Sequence, residues 1–240
     1  MTSIDSRMAW MRATDTKTWL RRGGLLALGL SIAFAIAFLM GWIDAAGPRL
    51  TAAPAGAIEG FRSAHFGADE AGVRAAIASD FGKSGDDIRT VDNSRERTRI
   101  LLVRVTDLFP NSGDAEVGYV FGYQSQRLIQ VNVLWGTPVV ASATPADMGR
   151  ISMLLQSYFG SLDLPVHVKD RKLPNGGLIA FQGVDGKGHS VQLLYRAGNI
   201  KPKDDAGKSE AAPKKFVMLR LAYVADPKSP DIFKLRPGAF

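Results

Sequence analysis

The sequence predicts an α+β fold carried outside a single membrane-spanning helix near the N-terminus. Three observations predict it: an uncharged apolar run over Gly23–Ile43, two amphipathic helix patterns 78 residues apart, and three strand-like runs after each of them. At 240 residues the chain is long enough for one span and one domain, or two small ones. Its 46% hydrophobic content and four Trp exclude general disorder. The lack of any cysteine excludes structural disulfides, thiolate nucleophiles and Cys-ligated metal.

Residues 1–22 read as a basic cytoplasmic arm. Arg7, Arg12, Lys17, Arg21 and Arg22 stand against Asp5 and Asp15. The apolar run follows as residues 23–43. It is 21 residues long, about 32 Å as a helix, which matches a hydrocarbon core of about 30 Å. A cleavable export signal has a shorter apolar region and a small-x-small site close behind it. Here the nearest good site is Ala53-Pro54-Ala55, well beyond the run, so the expectation is an uncleaved anchor. Arg49 is the one basic residue shortly after the span. The positive-inside rule then puts the N-terminus in the cytoplasm and the rest in the periplasm of an inner-membrane protein. Trp19 and Trp42 bracket the span as interfacial aromatics do.

Within the span, Gly23, Ala27, Ser31 and Ala35 recur every four residues, and so do Gly29, Ala33, Ala37 and Gly41. Small residues at this spacing open a shallow groove along a helix, where a neighbouring backbone gains dispersion contact in lipid. The ladders point to lateral packing against an integral membrane partner. In an Ala/Gly-rich span they also arise with no role beyond anchoring.

Residues 44–57, rich in Pro, Ala and Gly, read as a linker. Two α+β repeats are expected beyond it, at 58–140 and 141–225. "ADEAGVRAAIASDFG" (68–82) aligns without gaps on "ADMGRISMLLQSYFG" (146–160), pairing Val73 with Ile151, Ile77 with Leu155 and Phe81 with Phe159. The apolar positions fall on one helical face in each. Thr144 is the expected N-cap before Pro145, and Gly82 and Gly160 are the expected C-terminal stops. After the first helix come the strand-like runs 99–105, 116–123 and 127–136. After the second come 177–184, 189–196 and 215–225. Alternation at Val117, Tyr119, Phe121, Tyr123 and at Ile129, Val131, Val133, Trp135 predicts a sheet with a buried face. The simplest architecture is a tandem α-β-β-β duplication built on antiparallel sheet. Residues 198–214 read as a flexible charged loop, and 226–240 as a Pro-containing tail that packs back or docks on a partner.

The stretch "FGADEAGVRAAI" (66–77) resembles the Gly-x-Thr-x-x-x-Val helix entry of several small periplasmic α/β domains, including outer-membrane assembly lipoproteins of the BamE/SmpA type. The resemblance covers a dozen residues, without the motif's Thr and without a lipobox cysteine. It carries no function over to this chain.

Signatures of chemistry are sparse. No phosphate-binding loop, His-Glu-x-x-His, Gly-x-Ser-x-Gly or Ser-x-x-Lys occurs, and His65, His167 and His189 are widely separated. Asp86-Asp87 and Asp204-Asp205 read as carboxylates of solvated loops. Arg95, Arg97 and Arg99 have period-two spacing leading into a strand, which would put three guanidinium groups on one face, fit for an anion or a partner's carboxylates. The same pattern also suits a charged edge strand that resists aggregation. The formal charge of +7 is concentrated in residues 1–22 and 201–236, not spread as a stripe with aromatics, so nucleic acid is not expected. The expected role is a non-enzymatic accessory or assembly subunit of a membrane protein complex, with no cofactor. The alternative is a periplasmic domain that binds or senses an anionic ligand.

Overall fold

The computed structural model describes residues 56–174, 176–200, 214–235 and 238. The arm, the span and both ladders (Gly23, Ala27, Ser31, Ala35 and Gly29, Ala33, Ala37, Gly41) lie outside them, as does most of the charged loop. Among the described residues no helix is long and apolar enough to cross a membrane.

A short hairpin, β1 (Gly60–Phe61) and β2 (Ala64–His65), leads into α1 (Glu70–Phe81). Asp69 starts α1 by accepting from the Gly72 amide at 2.9 Å, and Gly82 stops it with a left-handed φ of 64°. Four strands follow: β3 (Ile88–Asn93), β4 (Thr98–Thr106), β5 (Asp114–Phe121) and β6 (Leu128–Gly136). The second helix, α2 (Pro145–Ser161), opens on Thr144, whose hydroxyl accepts from the Asp147 amide at 3.2 Å. Four more strands complete the chain: β7 (Val166–Lys172), β8 (Gly177–Val184), β9 (Ser190–Ile200) and β10 (Lys214–Val224).

All eight strands β3 to β10 form one antiparallel sheet in the order β3-β4-β5-β6-β10-β9-β8-β7. Each half is a meander, and the halves meet through their last strands, from Met218 opposite Gly136 to Val224 opposite Gln130. Gly136 ends β6 at φ 110°, where a Cβ would run into the Val217 carbonyl, so only glycine lets the strands close here. This corrects the expected strand count. Each helix is followed by four strands, and the additional ones, β3 and β7, are the two edges of the sheet. Two smaller expectations also change. Gly160 lies inside α2, which runs to Ser161 and is capped at Leu162. Residues 198–200 and 214 belong to β9 and β10, so they are not loop.

Both helices cover the same face of the sheet. Val73 and Ile77 of α1 share one apolar cluster with Leu101, Val117 and Val133, while Ile151, Leu155 and Phe159 of α2 join Phe181, Leu193 and Leu219 in it. Burying an aliphatic side chain as fully as Ile77 contributes about 1.5–3 kcal/mol. The opposite face holds two smaller clusters, around Ile100, Leu102 and Val120 and around Leu134, Ile179, Leu194 and Met218, to which neither helix contributes. Between them runs a buried polar band that includes Glu116, Asn132, Gln192 and Arg220. The Arg220 guanidinium donates to Gln192 Oε1 at 3.1 Å, and Arg89 donates to Glu116 at 3.1 Å.

After β10 the chain returns to the first half. The Phe233 amide donates to the Glu96 carbonyl at 2.9 Å, and the Tyr123 amide donates to the Asp231 carbonyl at 2.9 Å. The Asp231 carboxylate also accepts from the Gln124 and Ser125 amides at 3.0 and 2.8 Å. Residues 226–235 thus form a strap over the β3–β4 and β5–β6 turns, which is the packed-back form of the tail.

Candidate functional site

A groove of about 810 Å³ opens between α2 and the segment that precedes β1, above the seam of β6 and β10. Trp135 of β6 and Leu221 and Tyr223 of β10 form its floor. Strand alternation puts them there, because each belongs to the side-chain set that faces the helices. One wall is the C-terminal half of α2, including Leu154 and Tyr158, with its cap Leu162. The other is Ile58, Phe61 and Arg62, with Leu108 and Phe109 of the β4–β5 loop closing one end. Rings line the depth: Phe109 lies 6.1 Å from Trp135, and Phe61 lies 5.5 Å from Tyr223, centre to centre.

Its electrostatics are spare. Arg62, in the left-handed region at φ 53°, donates to the Leu108 carbonyl at 2.7 Å. Its guanidinium also lies over the Phe81 ring at 5.0 Å. Burial holds the Tyr223 hydroxyl well above its usual range, with Tyr158 adding to the shift. Trp135 is 1% exposed, and its buried Nε1–H has no hydrogen-bond partner. An unpaired buried donor of this kind costs about 1–3 kcal/mol. The groove therefore offers extensive apolar contact, while the Trp135 N–H is enclosed beneath its floor.

Sequence reasoning missed this groove because five separated segments build it. One signal did point to it. The core stripe of α2 is complete in Met148, Ile151, Leu155 and Phe159, yet Met153, Leu154 and Tyr158 add apolar side chains outside that stripe.

The arginines selected from sequence go to different places. Arg95 and Arg97 lie in the β3–β4 turn ahead of β4, and Arg97 has φ 51°, so the period-two rule for a strand does not place them on one face. Arg97 stacks on Phe233, its guanidinium carbon 3.9 Å from the ring centre. Arg99, within β4, pairs with Asp92 at 3.2 Å and Glu70 at 3.6 Å. Beneath the strap, the buried Glu96 carboxyl accepts from Asn93 Nδ2 at 3.0 Å, and burial pushes it up to about 7.

The structure brings two of the separated histidines to one region: Phe66, next to His65, meets the His189 ring at 5.2 Å. Nearby, the Lys187 ammonium at 2.8 Å holds the Glu59 carboxylate below its usual range. Asp185, buried beside them, accepts from the Ile58 amide at 2.9 Å and pins the segment before β1 to the β8–β9 turn. No three metal-ligating side chains converge among the described residues. Comparison with protein-family models, curated proteins and solved structures finds no match.

Proposed function

We propose that this chain is a single-pass inner-membrane protein with a periplasmic domain, acting as a non-enzymatic accessory or assembly subunit of a membrane protein complex. The observation that carries the reading is the apolar ridge on α2. Met153 is 72% exposed, Leu154 54% and Tyr158 59%. Contiguous apolar side chains in water mark an interaction surface, since nothing offsets their hydration cost until a partner covers them. The small-residue ladders in the span add a second surface of the same purpose within the bilayer.

We further propose that the domain arose by tandem duplication. Shifted by 78 residues, β3 falls on 166–171 and β4 on 176–184, against an observed β7 at Val166–Lys172 and β8 at Gly177–Val184. Ala115 and Val117 of β5 shift onto Leu193 and Tyr195 of β9, and all four pack in the same core. The offset changes only beyond β9, where the charged segment is inserted.

The anion-binding alternative has less support, because Arg97 is committed to the strap and Arg99 to two carboxylates. Extraction in mild detergent followed by native sizing tests the leading reading. A discrete assembly containing other proteins is expected, and a clean 25.9 kDa monomer overturns it.

A further inference from the structure

We infer that residues 226–235 are a pH-governed latch. They close over the first half while the Glu96 carboxyl beneath them keeps its proton, and they release the β3–β4 and β5–β6 turns when it is ionised. Such a device needs a seat for the strap, a titrating group under it, and neighbours that do not titrate in the same range.

The seat is built at two points. At the β5–β6 turn, the Asp231 carboxylate accepts from the Gln124 and Ser125 amides, and the Tyr123 amide donates to the Asp231 carbonyl. Gly122 makes the room, because a Cβ there would run into the Asp231 carboxylate and the Ser125 hydroxyl. At the β3–β4 turn, the Phe233 amide donates to the Glu96 carbonyl at 2.9 Å. The Phe233 ring meets the Arg97 guanidinium at 3.9 Å and the Tyr123 ring at 5.6 Å, each measured to its centre.

The titrating group lies under the second point. A hairpin turn ordinarily stands in water. Here Asn93, Glu96 and Thr98 are only 7%, 4% and 2% exposed. Burial favours the neutral Glu96 carboxyl more strongly than Arg95 and the Asn93 amide favour its charge. Once ionised, the carboxylate is stabilised by reaching water, and the strap is the weaker of its coverings. Two backbone hydrogen bonds tie the strap to these turns, whereas β3 and β4 pair through six residues each. Local opening takes the route that breaks least.

The surrounding charges are committed elsewhere. Arg99 pairs with Asp92 and Glu70, and Arg97 stacks on Phe233. Burial works against the Asp231 charge, but the Ser125 side chain and the two turn amides outweigh it and hold that carboxylate below its ordinary range. Lys234 is exposed, and neither the turn nor the strap contains a histidine. Closure is therefore firmest below the ordinary Glu value of 4.5 and weakens as pH rises to about 7.

Hydrogen exchange of the full chain in mild detergent, followed from pH 4.5 to 8 and corrected for the intrinsic rate, tests the latch. Strap amides, Phe233 among them, should lose protection at least about tenfold across that range. At every pH the strap should exchange well ahead of the β6–β10 ladder. Glu96→Gln stays neutral and still accepts from Asn93, so it should keep the strap protected at pH 8. Gly122→Ala should displace Asp231 and open the strap at every pH, with the ladder still protected. Strap protection that ignores pH overturns the inference, as does an unchanged pH dependence in Glu96→Gln. Equal protection of strap and ladder also overturns it, since the strap then opens only when the whole domain unfolds. A strap still protected in Gly122→Ala is held by something other than this seat, and the inference again fails.

Discussion

Ile77 of α1 and Leu155 of α2 stand in matching places 78 residues apart, and both point into the same core. Ile77 is completely enclosed, whereas Leu155 is 8% exposed and borders the groove. The difference extends to the whole of each half. On the first, α1 is short and its outer surface is charged, with Glu70 pairing to Arg74 and Arg99 and with Asp69 pairing to Arg127. The strap covers its turns as well. On the second, α2 is five residues longer, 17 against 12, and carries an apolar ridge in solvent beside the groove. The outer surface of α1 is closed by ion pairs, whereas the outer surface of α2 leaves Met153, Leu154 and Tyr158 in solvent.

The largest effect that can break this comparison comes from the matched pair itself. Ile77→Ala empties a sealed site and should cost about 4 kcal/mol, while Leu155→Ala, beside an existing void, should cost about 2 kcal/mol. Urea midpoints of the full chain in mild detergent measure both. Equal costs would show that the groove loosens nothing around it. The strap is the next target. Phe233→Ala removes the contacts with Tyr123 and Arg97 and should cost about 1–2 kcal/mol. A cost near zero would mean that the first half is closed by its own turns alone.

How much of this contrast was legible beforehand depended on whether the signal was local. The stripes at Val73/Ile77 and Ile151/Leu155 and the alternation through Val117–Phe121 come from one element each, so period alone reveals them. The edge strands did not show. β3 reads "IRTVDN" and β7 reads "VHVKDRK", runs broken by the charge that an edge strand tolerates and a central one does not. The joining of the halves at β6 and β10 depends on pairing between residues 82 to 94 positions apart, from Gly136 with Met218 to Gln130 with Val224, and no local pattern encodes that. Arg97 misled for another reason. Its left-handed backbone is a property of the turn, and it ends the period on which a three-arginine face relied. The groove combines both difficulties, since its floor, walls and end belong to distant segments.

A smaller effect sharpens the comparison through pH. Glu96, under the strap, keeps its proton up to about 7 in the folded chain, against an ordinary value of 4.5, because burial penalises the charge. The folded state therefore binds more protons than the unfolded one between those values. Stability should fall as pH rises through that window and level off above it. Glu96→Gln removes the charge and retains an acceptor for Asn93. It should gain about 1 kcal/mol at pH 8 and nothing at pH 4, read from thermal or urea midpoints at each pH. A gain independent of pH would show that the carboxyl is not held neutral by the closed first half.

The smallest expected change in stability falls on Met153, and it separates the two surfaces of α2. Met153 is the most exposed large apolar side chain among the described residues, and it is not part of the groove lining. Met153→Gln removes apolar surface that the folded domain does not bury, so its stability should move by less than about 0.5 kcal/mol. Binding of a partner over the ridge should weaken, because the amide must be desolvated at the new interface without an assured hydrogen bond. The expected pattern is therefore an unaltered urea midpoint with loss of co-purifying protein on native sizing. If the assembly survives Met153→Gln but is lost with Ile at Gly29 or Ala33, recognition lies in the span, and the open ridge of α2 serves the groove alone.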